Sequence, residues 1–308
     1  MTKAVIDVGS NSVLLLIAEK TTEGWKTIYE TSAVTGLGAN TKTTGLIGEP
    51  GSKKTLEALK FCFDQTAKHN VSDITVAGTM ALRIATNAQD FLEKAKAQGT
   101  PLAILSGDDE ALLGFLAVAE DPLFNYTQRI TIVDPGGHST ELMTAERTAS
   151  GWQTLYKYSF PIGALGLIET NFPNETPDFS ERLAAVDAID STINLEYLPH
   201  QCGTAVVLGA TGTNLISIRE KLTHWQPELV HGQILDFEEI SRAVGWMCDM
   251  NEAQRAAIPG IEKGRERTIH IGALILERFL QATHALECRV SVRGWRHALL
   301  DHPITTPA

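Results

Sequence analysis

Cysteine is scarce in this sequence. Its 308 residues hold Cys62, Cys202, Cys248 and Cys288, far apart, with no Cys-x-x-Cys pair and no Cys/His zinc spacing. They read as reduced, mostly buried thiols. Positive charge is also short: Lys+Arg 26 against Asp+Glu 37 leaves a formal net charge of −11. That excludes a non-specific nucleic-acid binder and a polybasic membrane binder, since both rely on excess positive charge. Long apolar runs are missing; Val13 to Ala18 is the strongest early one and is far too short to span a bilayer. Met1-Thr2-Lys3 leads into an apolar strand with no basic n-region and no cleavage site. The expected setting is the cytoplasm. A hydrophobic content of 43% against 20% charged excludes a disordered chain, and at ~150 residues per domain the length points to two domains.

The chain begins with two apolar runs, Ala4-Val5-Ile6 and Val13 to Ala18, flanking the turn Asp7-Val8-Gly9-Ser10-Asn11-Ser12. This reads as a β-hairpin. A strand over 25–31, a helix over 53–68, a strand over 73–77 and a helix over 87–98 capped by Asn87 follow. A strand over 103–105 then leads through Ser106-Gly107 into a helix. The pattern restarts at Ile130-Thr131-Ile132-Val133, which enters Asp134-Pro135-Gly136-Gly137-His138-Ser139-Thr140-Glu141. Asp7, Gly9 and Ser12 match Asp134, Gly136 and Ser139 as D-x-G-x-x-S, at an offset of 127 residues (134 − 7). A hairpin duplicated at domain spacing predicts two similar α/β domains, split near residue 122, with the last helix folding back on the first. Beyond it the pattern gives a strand over 155–158, a turn over 161–166 and a helix over 179–198 with Leu183, Val186, Ile189, Ile193 and Tyr197 on one face. A strand over 205–208, a helical stretch, a last strand over 289–292 and a frayed tail after Pro303 complete the reading.

Three glycine-rich turns follow apolar strands: 9–12, 136–140, and Gly209-Ala210-Thr211-Gly212-Thr213. Such turns bring backbone N–H groups close to a phosphate, and a following helix N-terminus adds a favourable dipole. None is a P-loop or a G-x-G-x-x-G fingerprint. Asp7 and Asp134 end strands and Glu141 follows the second loop; carboxylates beside a phosphate suit Mg²⁺, although Asp7 alone also reads as a turn residue. Asp108, Asp109 and Glu110 crowd a helix start, which composition explains by dipole compensation. Arg83 fits either a phosphate contact or an exposed ion pair. His138 fits either a phosphate contact or a side chain turned to solvent.

These segments together resemble the exopolyphosphatase/guanosine pentaphosphate phosphatase family. The opening 4–12, Thr79 to Arg83, Ile104 to Ala111, Val133 to Leu142 and Leu208 to Thr213 match in order, with Glu266-Arg267, Gly272 to Leu276, Val290-Ser291 and Arg293-Gly294 as later landmarks. The resemblance implies two ribonuclease-H-like domains of the actin/Hsp70/sugar-kinase type with an interdomain cleft, and Mg²⁺-dependent hydrolysis of terminal phosphoanhydride bonds, with Mn²⁺ as the other candidate metal. It implies that Glu110 is the catalytic base and Arg83 faces phosphate. Asp7, Asp134 and Glu141 become the metal acids. Gly9, Ser10, Asn11, Ser12, Gly136, Gly137, His138, Ser139, Thr140 and the 209–213 turn become the phosphate cradle. A homodimer is a further expectation from the resemblance.

Two departures stand out. The family usually has Asp-Ile-Gly-Gly-Gly-Ser-Thr-Glu where this chain has Pro135 and His138, so one backbone donor is lost and bulk is added. The helical domains that follow the core in many relatives are absent from these 308 residues, which points to shorter polyphosphates. Because net charge opposes a polyanion, Lys263, Arg265, Arg267, Arg289, Arg293 and Arg296 are candidates for a local basic path. The expected substrate is inorganic polyphosphate. Guanosine pentaphosphate is the alternative within the family, and a silent phosphate or nucleotide sensor is the alternative outside catalysis.

Overall fold

The two apolar runs at the start fold as adjacent antiparallel strands, β1 (Thr2–Val8) and β2 (Ser12–Thr21), with Val5, Ile6, Leu15, Leu16 and Ile17 all buried. The computed structural model describes residues 1–194 and 202–303. It divides into two compact units, Met1–Leu113 joined by the segment from Trp295, and Gly114–Gly294.

In the first unit, β3 (Gly24–Val34) pairs with β2. Then come α1 (Thr41–Thr44), α2 (Glu49–Lys68), β4 (Asp73–Gly78), α3 (Met80–Ile84), α4 (Ala88–Ala97), β5 (Ala103–Ile104) and α5 (Gly107–Ala119), whose last residues pass into the second unit. Pro50 in the first turn starts α2 earlier than the expected Lys53, at a position where the missing N–H costs nothing. Asn87 precedes α4 but does not cap it; its side-chain amide instead bridges the N–H and carbonyl of Ile47. The sheet order is β3-β2-β1-β4-β5, with β1, β4 and β5 parallel.

The second unit repeats this plan. Its strands are β6 (Arg129–Pro135), β7 (Thr140–Thr148), β8 (Gly151–Phe160), β9 (Thr204–Val207), β10 (Ile234–Asp236) and β11 (Glu287–Val290), in the order β10-β11-β9-β6-β7-β8. Its helices are α6 (Ala164–Thr170), α7 (Phe179–Ile193), α8 (Gly209–Arg219), α9 (Pro227–Val230), α10 (Phe237–Cys248), α11 (Glu252–Ala256) and α12 (Ile269–Ala282). Strands β6, β9 and β11 are parallel, and β10 is an antiparallel edge addition that the sequence reading did not anticipate. The offset of 127 residues carries Thr2–Val8 onto Arg129–Pro135, and the register shift at Ile17/Ala18 onto the one at Thr144/Ala145. Two β-sheets with the same hairpin and parallel extension are the actin/Hsp70-type architecture.

Some expectations fail locally. The turn expected over 161–166 runs into α6. In α7, Ile189 and Ile193 are buried and Val186 packs against the core as expected, but Leu183 is exposed and Ala185 takes the place inside. Asn194, left-handed at φ 54°, follows α7 as its cap; the expected continuation through Tyr197 to Leu198, and the tail beyond residue 303, lie outside the described residues. A short α13 (Trp295–Ala298) precedes Leu300 and Asp301, which are fastened to the first sheet: Lys3 Nζ donates to Leu300 O at 3.0 Å, and Trp25 Nε1 to Asp301 Oδ2 at 2.8 Å.

Candidate active site

Parallel strands end their chains at one edge, and loops leaving that edge are where open α/β sheets bind ligands. In the first unit those loops are 9–12 after β1, 79–83 after β4 and 105–110 after β5. In the second they are 136–139, the passage from β9 into the first turn of α8 at 208–212, and 291–294. Thus the segments singled out by sequence gather, within each unit, at the same edge of its sheet.

The two strand-to-strand loops are closed by the same bond. Gly9 N–H donates to Ser12 O and Gly136 N–H donates to Ser139 O, both at 2.9 Å. Carbonyls then anchor each loop from outside. Ser10 O and Asn11 O accept from Gly38, Thr35 and Gly36 N–H, whereas Gly136 O and Gly137 O accept from Ala164, Leu165 and Gly166 N–H. The N–H groups of Ser10 and Asn11, and of Gly137, His138 and Ser139, donate to no protein acceptor among the described residues. Consecutive unpaired N–H groups form an anion-binding concavity. Pro135 removes no donor from this set, because it lies within β6, opposite Thr140.

In the first unit, Glu110 sits in the first turn of α5, 9% exposed. Arg83 Nη1 holds it at 2.9 Å and also donates to Leu105 O at 2.7 Å, while Nη2 reaches Met80 Sδ at 3.5 Å. A guanidinium fixed by a carbonyl and a sulfur orients the carboxylate. Arg83 is thereby a partner of Glu110 in a largely buried ion pair rather than an exposed one. Ser10 Oγ accepts from Ala81 N–H at 3.1 Å, which ties the first loop to the same segment. Asp7 closes β1 opposite Leu14, next to Gly9.

In the second unit Asp134 and Glu141 are direct cross-strand partners on β6 and β7, so both carboxylates leave the same face. Glu141 is 2% exposed and accepts from Ser159 Oγ at 2.6 Å. Gly209 has φ +73°, and a Cβ there would stand 2.7 Å from Asp134 Oδ1. Glycine is required on both counts. Two adjacent carboxylates suit Mg²⁺, which takes its remaining ligands from water and phosphate; among the described residues no group of three or more His, Cys, Asp or Glu forms a metal site.

The 209–213 segment is not a loop. It is the first turn of α8, and what it could offer an anion is the N-terminal N–H groups of that helix. Thr211 and Gly212 instead pack the helix: a Cβ on Gly212 would meet Val207 at 2.6 Å, and Thr211 Oγ1 lies against Gly272 of α12. His138 is corrected more sharply. The residue is 2% exposed and its Nε2 lies 3.5 Å from Glu169 Oε1, so the ring is not turned to solvent. Among the basic-path candidates, Arg265 pairs with Glu262, Arg293 with Asp121, Arg296 with Glu30, and Arg289 donates to Gly232 O. Arg267 lines a cavity of about 380 Å³ with Arg255 and His270, residues that no motif signalled.

The comparisons with known proteins place the chain in a family. The Ppx/GppA phosphatase family model matches residues 16–305. A bifunctional 3-dehydroquinate synthase/phosphatase of Fusobacterium nucleatum is 28% identical over 292 residues, 90% of this chain but only 43% of that protein, so the chain spans less than half of that relative. The crystal structure of the Aquifex aeolicus Ppx/GppA family member superposes with a TM-score of 0.79 at 28% identity, covering 97% of this chain and 96% of that one. An exopolyphosphatase from Cytophaga hutchinsonii shares the fold, with a TM-score of 0.85 at 22% identity and coverage of 97% and 96%. Among the described residues no helix is long and apolar enough to cross a membrane. With two actin-type units, a hairpin loop repeated in each, and a family match over most of its length, the chain belongs to the Ppx/GppA phosphatases.

Proposed function

We propose that the protein is an exopolyphosphatase, hydrolysing terminal phosphoanhydride bonds of inorganic polyphosphate to release orthophosphate. The observation that carries the reading is Glu110: a carboxylate 9% exposed, oriented by Arg83 at 2.9 Å, at the sheet edge that also bears the first anion loop. Phosphoryl transfer to water needs a positioned nucleophile and neutralised oxygens more than covalent chemistry. Glu110 takes the proton of the attacking water as general base. The N–H groups of 10–11 and 137–139, with the first turn of α8, hold the phosphate oxygens. Asp134 and Glu141 would hold Mg²⁺ or Mn²⁺, with Asp7 the further acid; a bound divalent ion supplies charge neutralisation.

The test is orthophosphate release with Mg²⁺ or Mn²⁺ from short polyphosphate, long polyphosphate and guanosine pentaphosphate, beside Glu110→Gln. Release from polyphosphate that falls by about 10³-fold in the variant supports the reading. Preference for guanosine pentaphosphate would move the assignment within the family. Tight anion binding without release from any substrate would replace hydrolysis by sensing.

A further inference from the structure

The second unit buries a cation without a counter-ion. Arg255, on α11, is 1% exposed. Its guanidinium is held by carbonyls alone: Nε donates to Glu266 O at 2.6 Å, and Nη1 to Glu175 O at 3.1 Å, Met247 O at 3.0 Å and Met250 O. Among the described residues no carboxylate lies within ion-pair distance of it; Glu175 and Glu252 act only from farther away. Nη2 donates to nothing among the described residues and keeps accessible surface. A buried charge without its opposite is costly, and these carbonyls fix the charge in place.

Arg255 lines the cavity of about 380 Å³, a volume in the range of small-molecule sites. His270, in the first turn of α12, lines it too and is 2% exposed. Burial keeps that ring neutral, with a single N–H. Nδ1 is sealed in without a partner, so the proton belongs on Nε2, which is unpartnered among the described residues but not sealed. Phe172, edge-on to the ring at 6.1 Å, forms an apolar wall with Ile168 and Ile271. Arg267 is exposed and unpaired among the described residues. Two arginines against Glu175 and Glu252 leave the lining formally neutral. One negative charge therefore matches Nη2, whereas a dianion would meet two carboxylates, and the wall suits an apolar body attached to that charge. We propose that the cavity binds a small monocarboxylate with an apolar body, its carboxylate accepting from Arg255 Nη2 and His270 Nε2 and its body lying against Phe172 and Ile271. Neither Asp134, Glu141 nor the 136–139 loop lines this site, so it is separate from the one that would hold phosphate.

The probe is benzoate, with benzamide as its uncharged match and phenyl phosphate as its dianionic one. Each is titrated into the full chain by calorimetry while the ring-nitrogen resonances of His270 are followed. Benzoate binds at one site and shifts those resonances along the same curve. Judged by the same resonances, benzamide and phenyl phosphate bind at least about tenfold more weakly (~1.4 kcal/mol). His270→Phe keeps a ring and loses the donor, and weakens benzoate about tenfold. Arg267→Gln, at an exposed position, weakens it about threefold. Arg255→Lys loses Nη2 and abolishes measurable binding, with circular dichroism to show that the variant is folded. Asn174→Trp, at an exposed lining position, fills the cavity and removes binding with Arg255 intact. Saturating orthophosphate and Glu110→Gln leave benzoate affinity at its starting level, so loss of the hydrolytic reading does not touch this site. Equal affinity for benzamide, displacement of benzoate by orthophosphate, or no saturable shift at His270 overturns the proposal.

Discussion

The two units share a hairpin and use it differently. Both loops are closed by the same N–H to carbonyl bond, and both expose consecutive N–H groups. Opposite Asp7 stands Leu14, whereas opposite Asp134 stands Glu141. The first unit has one acid, Asp7, beside its hairpin turn and a buried one, Glu110, on a helix, held by Arg83. The second unit concentrates two acids on adjacent strands beside a left-handed glycine. The same hairpin therefore recurs with different acids around it: an arginine-held carboxylate on a helix in one unit, a cross-strand carboxylate pair in the other. The difference teaches that the repeated backbone fixes where the unpaired N–H groups lie, while single side chains beside them set the local charge.

The contrast can be broken directly. Glu141→Leu makes the second hairpin like the first. Loss of one of two carboxylates should raise the Mg²⁺ concentration needed for half-maximal activity by about 10–100-fold, a magnitude typical of damaged metal sites; titration of activity against Mg²⁺ checks it. A smaller effect separates the two glycines. Gly209→Ala places a Cβ 2.7 Å from Asp134 Oδ1 in a left-handed backbone and should cost about 1–3 kcal/mol. Gly9→Ala, without a positive φ and with 3.2 Å to Ser12 O, should cost under ~1 kcal/mol. Urea unfolding of both variants measures the gap.

The smallest expected effect is in acid sensitivity. Burial, reinforced by the positive charges of Arg255 and Arg182, pushes His270 down to about 3 from 6.5. A histidine depressed in the folded state adds stability that is complete above about 6.5 and is lost as pH falls toward about 3. Hydrogen exchange at pH 5 should therefore loosen the second unit before the first, and His270→Phe should flatten that difference. An equal response of the two units in the unaltered chain would show that the second is not the acid-weak one.

The hairpins were legible because their signal is local and doubled: strand, D-x-G turn and strand recur at fixed spacing. Alternation and glycine position were enough to place β1, β2, β6 and β7. Glu110 was visible only through family resemblance, since three acids at a helix start have an electrostatic explanation that needs no active site. What escaped reading depended on distant partners. Asn87 looks like a cap until Ile47 claims its amide. Gly212 looks like a loop glycine until Val207 and Val290 are packed against it. His138 fits a phosphate contact or a solvent-facing turn until the fold buries it, with Glu169, 31 residues on (169 − 138), 3.5 Å from its ring.

The tie between Trp25 and Asp301 bears on the order in which the chain folds during synthesis. The second unit is contiguous, so all its strands have been made once Val290 has emerged. The first unit is begun earliest, yet Lys3, Lys20 and Trp25 must wait for Leu300 and Asp301 before their contacts close. Domains generally mature from the amino-terminal side as translation proceeds. Here the unit that starts first is the one completed last.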